Sequence, residues 1–336
     1  MELSVIWQRF RANTRAYVSL WIFGVLVFVS VIAPCIANQK PLFIYHEGRA
    51  YFPIFVDYPE TTFGGDFESF TDYLDPYVSD VLLKDSFVLR TLIPYGPETI
   101  LFDLHTPSPT SPDSVHWLGT DDKGRDVLAR MLYGLRTSLA FGFILTICVL
   151  VIGVSVGALQ GYYGGSIDLF GQRLIEIWNS IPILFVIIIV ANTIAPSFWW
   201  ILGIVLAFSW IGLASVVRAE FLKIRNLEFV KAARVLGFSD WRIMMRHILP
   251  NAMVATITYL PFIMATGIIT LGSLDFLGFG TQDASLGELL AQGKNNLTSP
   301  HLGISAFLIV SILLSVLVFV GEGLRDALDP RAHRDL

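Results

Sequence analysis

Long stretches without any charged side chain constrain this chain more than any other feature of its sequence. A charge at the centre of a spanning helix costs about 2.5 to 3.5 kcal/mol on insertion scales, and a helix needs about 20 apolar residues to cross a bilayer. Only 15% of the residues are charged. The uncharged runs between them predict an all-α integral membrane protein. These runs cover residues 16–39, 138–160, 177–217, 251–274 and 302–321.

The third run, residues 177–217, is long enough for two crossings and has Pro196 near its middle. Because proline removes a backbone donor and disfavours helix at the preceding residue, we interpret the run as a hairpin of two helices that turns at "APSFWW". The sequence therefore predicts six transmembrane helices. An even number of crossings places both termini on the same side of the membrane.

The distribution of basic residues predicts which side that is, because cytoplasmic loops carry an excess of Lys and Arg. Arg9, Arg11 and Arg15 precede the first run, and the loop 217–252 carries seven basic and three acidic residues. Both are predicted to be cytoplasmic. Residues 38–128 instead hold six basic and fifteen acidic residues, as a translocated segment can. The net charge of −5 comes largely from this segment, so it does not indicate a nucleic-acid partner.

The insert between the first two helices, residues 38–128, is dense in Tyr, Phe, Pro and Asp. So many rings can bury apolar surface, so we expect a small ordered extracytoplasmic subdomain. A cleaved signal peptide is the alternative for the first run, but the run is long for one. The predicted division is 1–16 cytoplasmic segment, 17–37 first transmembrane helix, 38–128 periplasmic insert, 129–322 transmembrane core with the loop 217–252, and 323–336 cytoplasmic tail.

The stretch "KAARVLGFSDWRIMMRHILPN", residues 231–251, predicts two short helices in the cytoplasmic loop. Apolar residues recur at helical spacing up to Leu236, and Gly237 stands where a left-handed residue would end the first helix. Ser239 and Asp240 can cap the second helix. We predict that this helix closes at Leu249 and Pro250, before the next span begins.

Two interpretations of this pair of helices compete. A DNA-binding helix-turn-helix needs a second helix free to enter a groove, whereas here both ends are tied closely to membrane helices and "WRIMMRHIL" is too apolar to contact bases. The other interpretation is a docking element at the membrane surface, where the small residues Ala232 and Ala233 let a partner approach closely. The second interpretation is favoured.

The loop resembles the Glu-Ala-Ala loop of ATP-binding-cassette (ABC) importer permeases. Ala232, Ala233 and Gly237 match its spacing, as does the later Leu-Pro pair at 249–250. Two positions depart from the pattern: Lys231 replaces the glutamate, and a histidine at 247 stands in place of an isoleucine. Contacts that need the acidic side chain are not implied here.

Other segments extend the resemblance to the second membrane subunit of dipeptide, oligopeptide and nickel permeases. They are "LGTDDKGRDVLARMLYGLRTSL", "LDFLGFG" and "GEGLRDALDP". The aromatic insert is most similar to that of the microcin C and oligopeptide importer subgroup of Gram-negative bacteria. The resemblance implies a type I ABC importer permease of the bacterial inner membrane. It implies as partners a second, related permease in a heterodimer, ABC ATPase subunits, a periplasmic solute-binding protein, membrane lipids and a peptide substrate.

The resemblance also implies that the ATPase docks on the cytoplasmic loop, and that the chain holds no cofactor or metal. The sequence contains no G-x-x-x-x-G-K-[ST], H-E-x-x-H or G-x-S-x-G motif, so we expect no enzymatic activity. An ion-coupled transporter, which would need ionisable groups at mid-membrane, and a non-transporting anchor are the alternatives. The predicted docking residues are Glu228, Lys231, Ala232, Ala233, Leu236, Gly237, Asp240 and Pro250.

Overall fold

The computed structural model describes residues 3–102, 104, 106–281 and 283–328, and it is mostly helical. The chain divides into two compact units. The first comprises Met1–Val25, Ser138–Gln282 and Val310–Leu336, and the second comprises Leu26–Thr137 and Asp283–Ile309. The helices are α1 Leu3–Ala12, α2 Thr14–Val31, α3 Ala33–Ile36, α4 Val127–Tyr163, α5 Gly165–Asn179, α6 Ile183–Thr193, α7 Phe198–Ile224, α8 Glu228–Val235, α9 Asp240–Ile243, α10 Leu249–Phe276, α11 Leu286–Asn295 and α12 Pro300–Leu328.

In the described part of the chain, five helical segments are long and apolar enough to span a membrane. A sixth span is formed if the bent pair α5 and α6 is counted as one. This confirms the expected helical membrane fold. The expected six spans are reached when the bent pair is counted, and the break itself was not predicted. The continuous segments are Thr14–Val31, Val127–Tyr163, Phe198–Ile224, Asp240–Phe276 and Pro300–Leu328.

The predicted hairpin in residues 177–217 is only partly right. Its turn lies between α6, which ends at Thr193, and α7, which begins at Phe198. Its first arm is not a straight helix, because α5 and α6 meet at an angle of 59°. Pro182 stands at the break, where it cannot donate to the helix and where it disfavours helical geometry at the preceding residue.

The prediction that the loop's second helix closes at Leu249 and Pro250 is wrong. From Asp240 the chain runs through a π-helical turn, Met244–Ile248, directly into α10, so that residues 240–276 form one long segment. Pro250 lies in the first turn of α10. A π-turn shifts the hydrogen-bond pattern at the point where proline has no N–H to offer, so the helix continues instead of stopping.

In the first unit, α4 packs against α7 through glycines spaced four residues apart. A Cβ placed on Gly157 would lie 2.5 Å from the carbonyl oxygen of Ala214, and one placed on Gly161 would lie 2.5 Å from Cβ of Phe221. Both are closer than real Cβ atoms come. Small residues therefore bring the two helix backbones together, which is how apolar helices gain packing energy inside a bilayer.

The insert in the second unit contains a three-stranded antiparallel sheet in the order β2-β1-β3. The strands are β1 Phe43–His46, β2 Arg49–Tyr51 and β3 Phe87–Leu89. Ile44, which is fully buried, pairs with Tyr51 and with Val88. The insert has a core of its own, as its aromatic content predicts; its extracytoplasmic position stays a prediction. The buried residues of that core are Ile44, Phe63, Tyr73, Val78 and Leu83.

An ionic cluster joins the insert, the start of α4 and α11 within the second unit. It consists of Glu98, Asp121, Arg125, Arg130 and Glu288. Glu98 accepts from Arg125 at 2.7 Å and from Arg130 at 2.8 Å, while Glu288 accepts from the same arginines at 3.1 and 2.5 Å. Burial alone would lower the pKa of Arg125, but its hydrogen bond to Asp121 and the surrounding carboxylates raise that pKa above its usual value. The carboxylates hold both arginines by ion pairs.

Candidate docking loop

The docking loop, residues 227–250, begins with the amphipathic helix α8 and turns sharply at Gly237. The φ angle of Gly237 is +78°, which confirms the predicted left-handed residue. Its N–H donates to Arg234 O at 3.0 Å, and the N–H of Phe238 donates to Ala233 O at 3.2 Å. These two bonds form a Schellman motif, which satisfies carbonyls left over at the end of α8.

The buried face of the loop is anchored in the core of the first unit. Val230 and Ile243 are fully buried, and they belong to the same apolar cluster as Phe221 of α7 and Ile248 of the π-turn. Ala233 belongs to this cluster too and is only 4% exposed. Ala233 therefore faces the chain's own core and not a partner, contrary to the expectation. Its small side chain lets α8 pack closely against that core.

Polar contacts fasten the loop to the end of α4. Just before the loop, Arg225 at the end of α7 donates to the carbonyl oxygens of Gly161 and Tyr162 at 3.2 and 3.1 Å, which satisfies groups left unpaired at a helix C-terminus. The hydroxyl of Tyr162 donates to Asp240 at 2.5 Å, and the guanidinium of Arg234 lies 5.8 Å from the centre of the Tyr162 ring. The loop is therefore held on the end of α4 by hydrogen bonds as well as by apolar packing.

The expected capping of the second helix is not found. Ser239 occupies the cap position of α9, but its side chain makes no capping hydrogen bond. Asp240 is engaged by Tyr162 instead. This contact joins residues far apart in the sequence, so the local pattern Ser-Asp could not reveal it.

The outer surface of the loop exposes large apolar side chains at the turn. Val235 is 88% exposed, Leu236 is 73% exposed and Trp241 is 66% exposed. We call these three residues the apolar rim. On the preceding turn of α8, Glu228 and Lys231 form an exposed ion pair with an N–O distance of 3.0 Å. Large apolar side chains exposed beside charged groups are typical of a protein interaction site.

Seven of the eight predicted docking residues lie on the exposed side of the loop, and Ala233 does not. The sequence reasoning missed Val235 and Trp241, which are 88% and 66% exposed. The sequence could have identified both residues, because they are large apolar side chains that stand beside the turn at Gly237. The exposed predicted residues are Glu228, Lys231, Ala232, Leu236, Gly237, Asp240 and Pro250.

Replacing Gly237 by alanine is expected to lower the stability of the loop by about 1 kcal/mol, because an L-residue at positive φ is strained. No other atom lies within 4 Å of a Cβ at this position, so strain alone causes the loss. The Gly237→Asn variant is the matched control, since asparagine tolerates this conformation. Hydrogen exchange of the amides of α8 measures the effect, and equal protection in both variants would contradict it.

In the part of the chain that the structure describes, no three His, Cys, Asp or Glu side chains are grouped as a metal site requires. The loop itself presents apolar and charged surface on a rigid support. This arrangement can bind another protein.

Comparison with known proteins identifies the family. The model of the "binding-protein-dependent transport system inner membrane component" family matches residues 150–334, and that of the "N-terminal TM domain of oligopeptide transport permease C" matches residues 3–53. The chain belongs to the family of binding-protein-dependent transport system inner membrane components. It is a multi-pass inner membrane permease of the ABC importer class and not an enzyme.

Three relatives illustrate the range of similarity. The inner membrane ABC transporter permease protein YejE of Escherichia coli (strain K12) is 54% identical over 326 residues, which are 96% of each chain. The peptidoglycan transport system permease protein YejE of Agrobacterium fabrum is 48% identical and covers 97% of this chain and 92% of its own. The dipeptide transport system permease protein DppC of Bacillus subtilis is 35% identical over 74% of this chain and 79% of its own.

Proposed function

We propose that this chain is one of two related permease subunits of an importer for peptides or peptide-like compounds, and that an ABC ATPase docks on its cytoplasmic docking loop. Both termini lie in the cytoplasm, and the insert lies outside it. A solute-binding protein delivers cargo to the outer face, and ATP binding at the loop shifts the helices between two packings. The observation that carries the docking proposal is the apolar rim on a rigidly anchored loop.

The rim supports docking because its exposure has no explanation within the chain. The opposite face of α8 is fully packed, so the loop has a stable position without burying Val235, Leu236 or Trp241. Burying an apolar side chain of this size on a partner contributes about 1.5 to 3 kcal/mol. The basic residues of the loop favour the cytoplasmic side, where ATP is available.

The proposed cargo class is supported by two of the relatives, whose names specify dipeptide and peptidoglycan transport. Both cargoes contain peptide groups with free charged ends or polar backbone. Microcin C, a peptide-nucleotide antibiotic, falls within the class of peptide-like compounds and is a narrower candidate. The long aromatic insert supports it only through the resemblance of the sequence.

Uptake into proteoliposomes that hold the complete complex tests the proposed function against the ion-coupled alternative. We expect uptake of a labelled tripeptide to require internal ATP and solute-binding protein and to continue when the proton gradient is collapsed. The matched control is the same preparation with a non-hydrolysable ATP analogue. Uptake that stops with the gradient while ATP persists would identify an ion-coupled transporter instead.

Removal of the sheet region of the insert is expected to weaken cargo delivery or alter cargo preference while sparing ATPase docking. The N–H of Leu42 donates to Leu89 O at 2.9 Å, so the two ends of the segment 43–89 lie close together and a short Gly-Ser linker can replace it. This deletion keeps Glu98 and the rest of the ionic cluster. Competition between peptides for uptake measures preference, and an unchanged preference with unchanged uptake would reduce the segment to a spacer.

A further inference from the structure

The broken span α5 and α6 carries polar groups at a depth where lipid cannot satisfy them. Its depth follows from its register with α7. Arg218 donates to Asp168 at 2.6 Å, and the indole of Trp178 donates to Ala207 O at 2.9 Å. The ten-residue step from Asp168 to Trp178 on α5 thus lies beside the eleven-residue step from Arg218 back to Ala207 on α7. The two helices therefore run side by side in opposite directions.

This register places the break near the middle of the bilayer. Ala207 lies at the middle of residues 198–217, which form the uncharged part of α7. Trp178 contacts Ala207 and so lies at the same depth, and the break follows within one turn at residues 180–182. Irregular backbone at this depth is tolerated only where it is buried in protein or lines a water-filled cavity. In the chain itself Ser180 and Ile181 are exposed.

The face of α5 that leads to the break carries polar side chains. Arg173, Glu176 and Ser180 follow one another at helical spacing, and we call them the polar stripe. Arg173 and Glu176 form an ion pair at 2.5 Å, with side chains 75% and 57% exposed. By the register with α7, this pair lies within the uncharged part of that helix. Ionisable groups at such depth face a bundle interior or a water-filled cavity and mark substrate pathways.

A separate face of α5 has the opposite character. Leu174 is large, apolar and exposed, and at 3.6 residues per turn it lies about 120° around the helix from Ser180 and about 160° from Glu176. Lipid or an apolar partner helix suits this face. The two faces of α5 therefore suit different surroundings: water suits the polar stripe, and an apolar environment suits Leu174.

We infer that the polar stripe and the adjoining break form a wall of the water-filled cargo path, and that the Arg173–Glu176 pair meets the charged ends of a peptide cargo. Arg173 suits a terminal carboxylate and Glu176 suits a terminal ammonium, because charge-assisted hydrogen bonds are the stronger kind. The inference about the cargo rests on the proposed function, whereas the inference about the water-filled path does not.

Cysteine accessibility in the assembled complex tests this inference. Cys35 and Cys148 are replaced by alanine, and Ser180→Cys is compared with Leu174→Cys, which lies about 120° away around α5 on the apolar face. The probe is a permanently charged methanethiosulfonate applied to complexes in proteoliposomes. We expect Ser180→Cys to react at least about ten times faster, because the reactive thiolate forms in water and is suppressed in apolar surroundings. Equal rates would show that lipid or a partner subunit covers the stripe and would overturn the inference.

Protection by trialanine tests the contact with the cargo. Free trialanine is expected to slow the labelling of Ser180→Cys, while trialanine with acetylated and amidated ends is not, since it lacks the charges that the ion pair would meet. Reversal of the pair, Arg173→Glu with Glu176→Arg, should remove the protection, whereas reversal of the Glu220–Lys223 pair should leave it intact. Equal protection by both peptides, or none, would overturn the role of the ion pair. Uptake and ATPase capture in the same preparations show separately whether the proposed function holds.

Discussion

Glutamate in place of both Val235 and Leu236 is expected to abolish cargo-stimulated ATP hydrolysis and uptake by the reconstituted complex. The two side chains are the most exposed apolar groups at the turn of the docking loop. Burying an unpaired carboxylate against a partner costs several kcal/mol, and here two would be buried in place of favourable apolar contacts. Folding should be spared, because surface substitutions usually change stability by less than about 0.5 kcal/mol.

The matched control is the pair Val81→Glu and Leu92→Glu, which places the same charges on exposed apolar residues of the insert. This control should retain the ATPase and its basal hydrolysis. Thermal unfolding of the purified chain shows whether each variant is folded. If the Val235 and Leu236 variant hydrolyses ATP with cargo as the wild type does, the apolar rim is not the ATPase contact.

Replacement of Arg130 by methionine is expected to have the largest effect on folding. Arg130 is fully buried, and it bridges Glu98 and Glu288 in the ionic cluster of the second unit. Its loss leaves buried or half-buried carboxylates with one cation fewer. Removing one partner from a buried ion pair costs about 3 to 5 kcal/mol, which is a large share of the stability of a folded unit.

Lys123→Met is the matched control, because Lys123 reaches Glu288 only at 3.5 Å and its side chain is 58% exposed. A solvent-exposed pair of this kind contributes about 0 to 1 kcal/mol. We expect the yield and unfolding temperature of the Arg130→Met variant in detergent to fall sharply, while those of the control stay close to wild type. A similar unfolding temperature for both variants would show that the cluster does not hold the insert, α4 and α11 together.

Much of the fold could be predicted from the sequence, because a helix that crosses the bilayer needs a long run of residues without charge. Uncharged runs located the spans, and the left-handed position of Gly237 followed from a local helix-ending pattern. The break at Pro182 was missed because a mid-membrane proline can kink a helix or interrupt it, and neighbouring helices decide which. The continuous segment 240–276 was missed because a π-turn leaves no mark in the spacing of apolar residues.

The docking loop was located from the sequence, but its two faces were assigned imperfectly. Ala232 and Ala233 differ by 100° around a helix, and only the packing of α8 shows that Ala233 points into the core. Asp240 was assigned as a cap, whereas it is held by Tyr162 from a distant helix. Contacts between residues far apart in the chain decide such orientations, and one sequence does not reveal them.

The most direct test of the proposed function is affinity purification of the tagged chain from gently solubilised membranes, beside the variant with glutamate at 235 and 236. We expect a P-loop ATPase and a second permease to be recovered with the wild-type chain. The variant should lose the ATPase and keep the second permease. Recovery of the wild-type chain without any ATPase would contradict the proposed function and favour an ion-coupled or structural role.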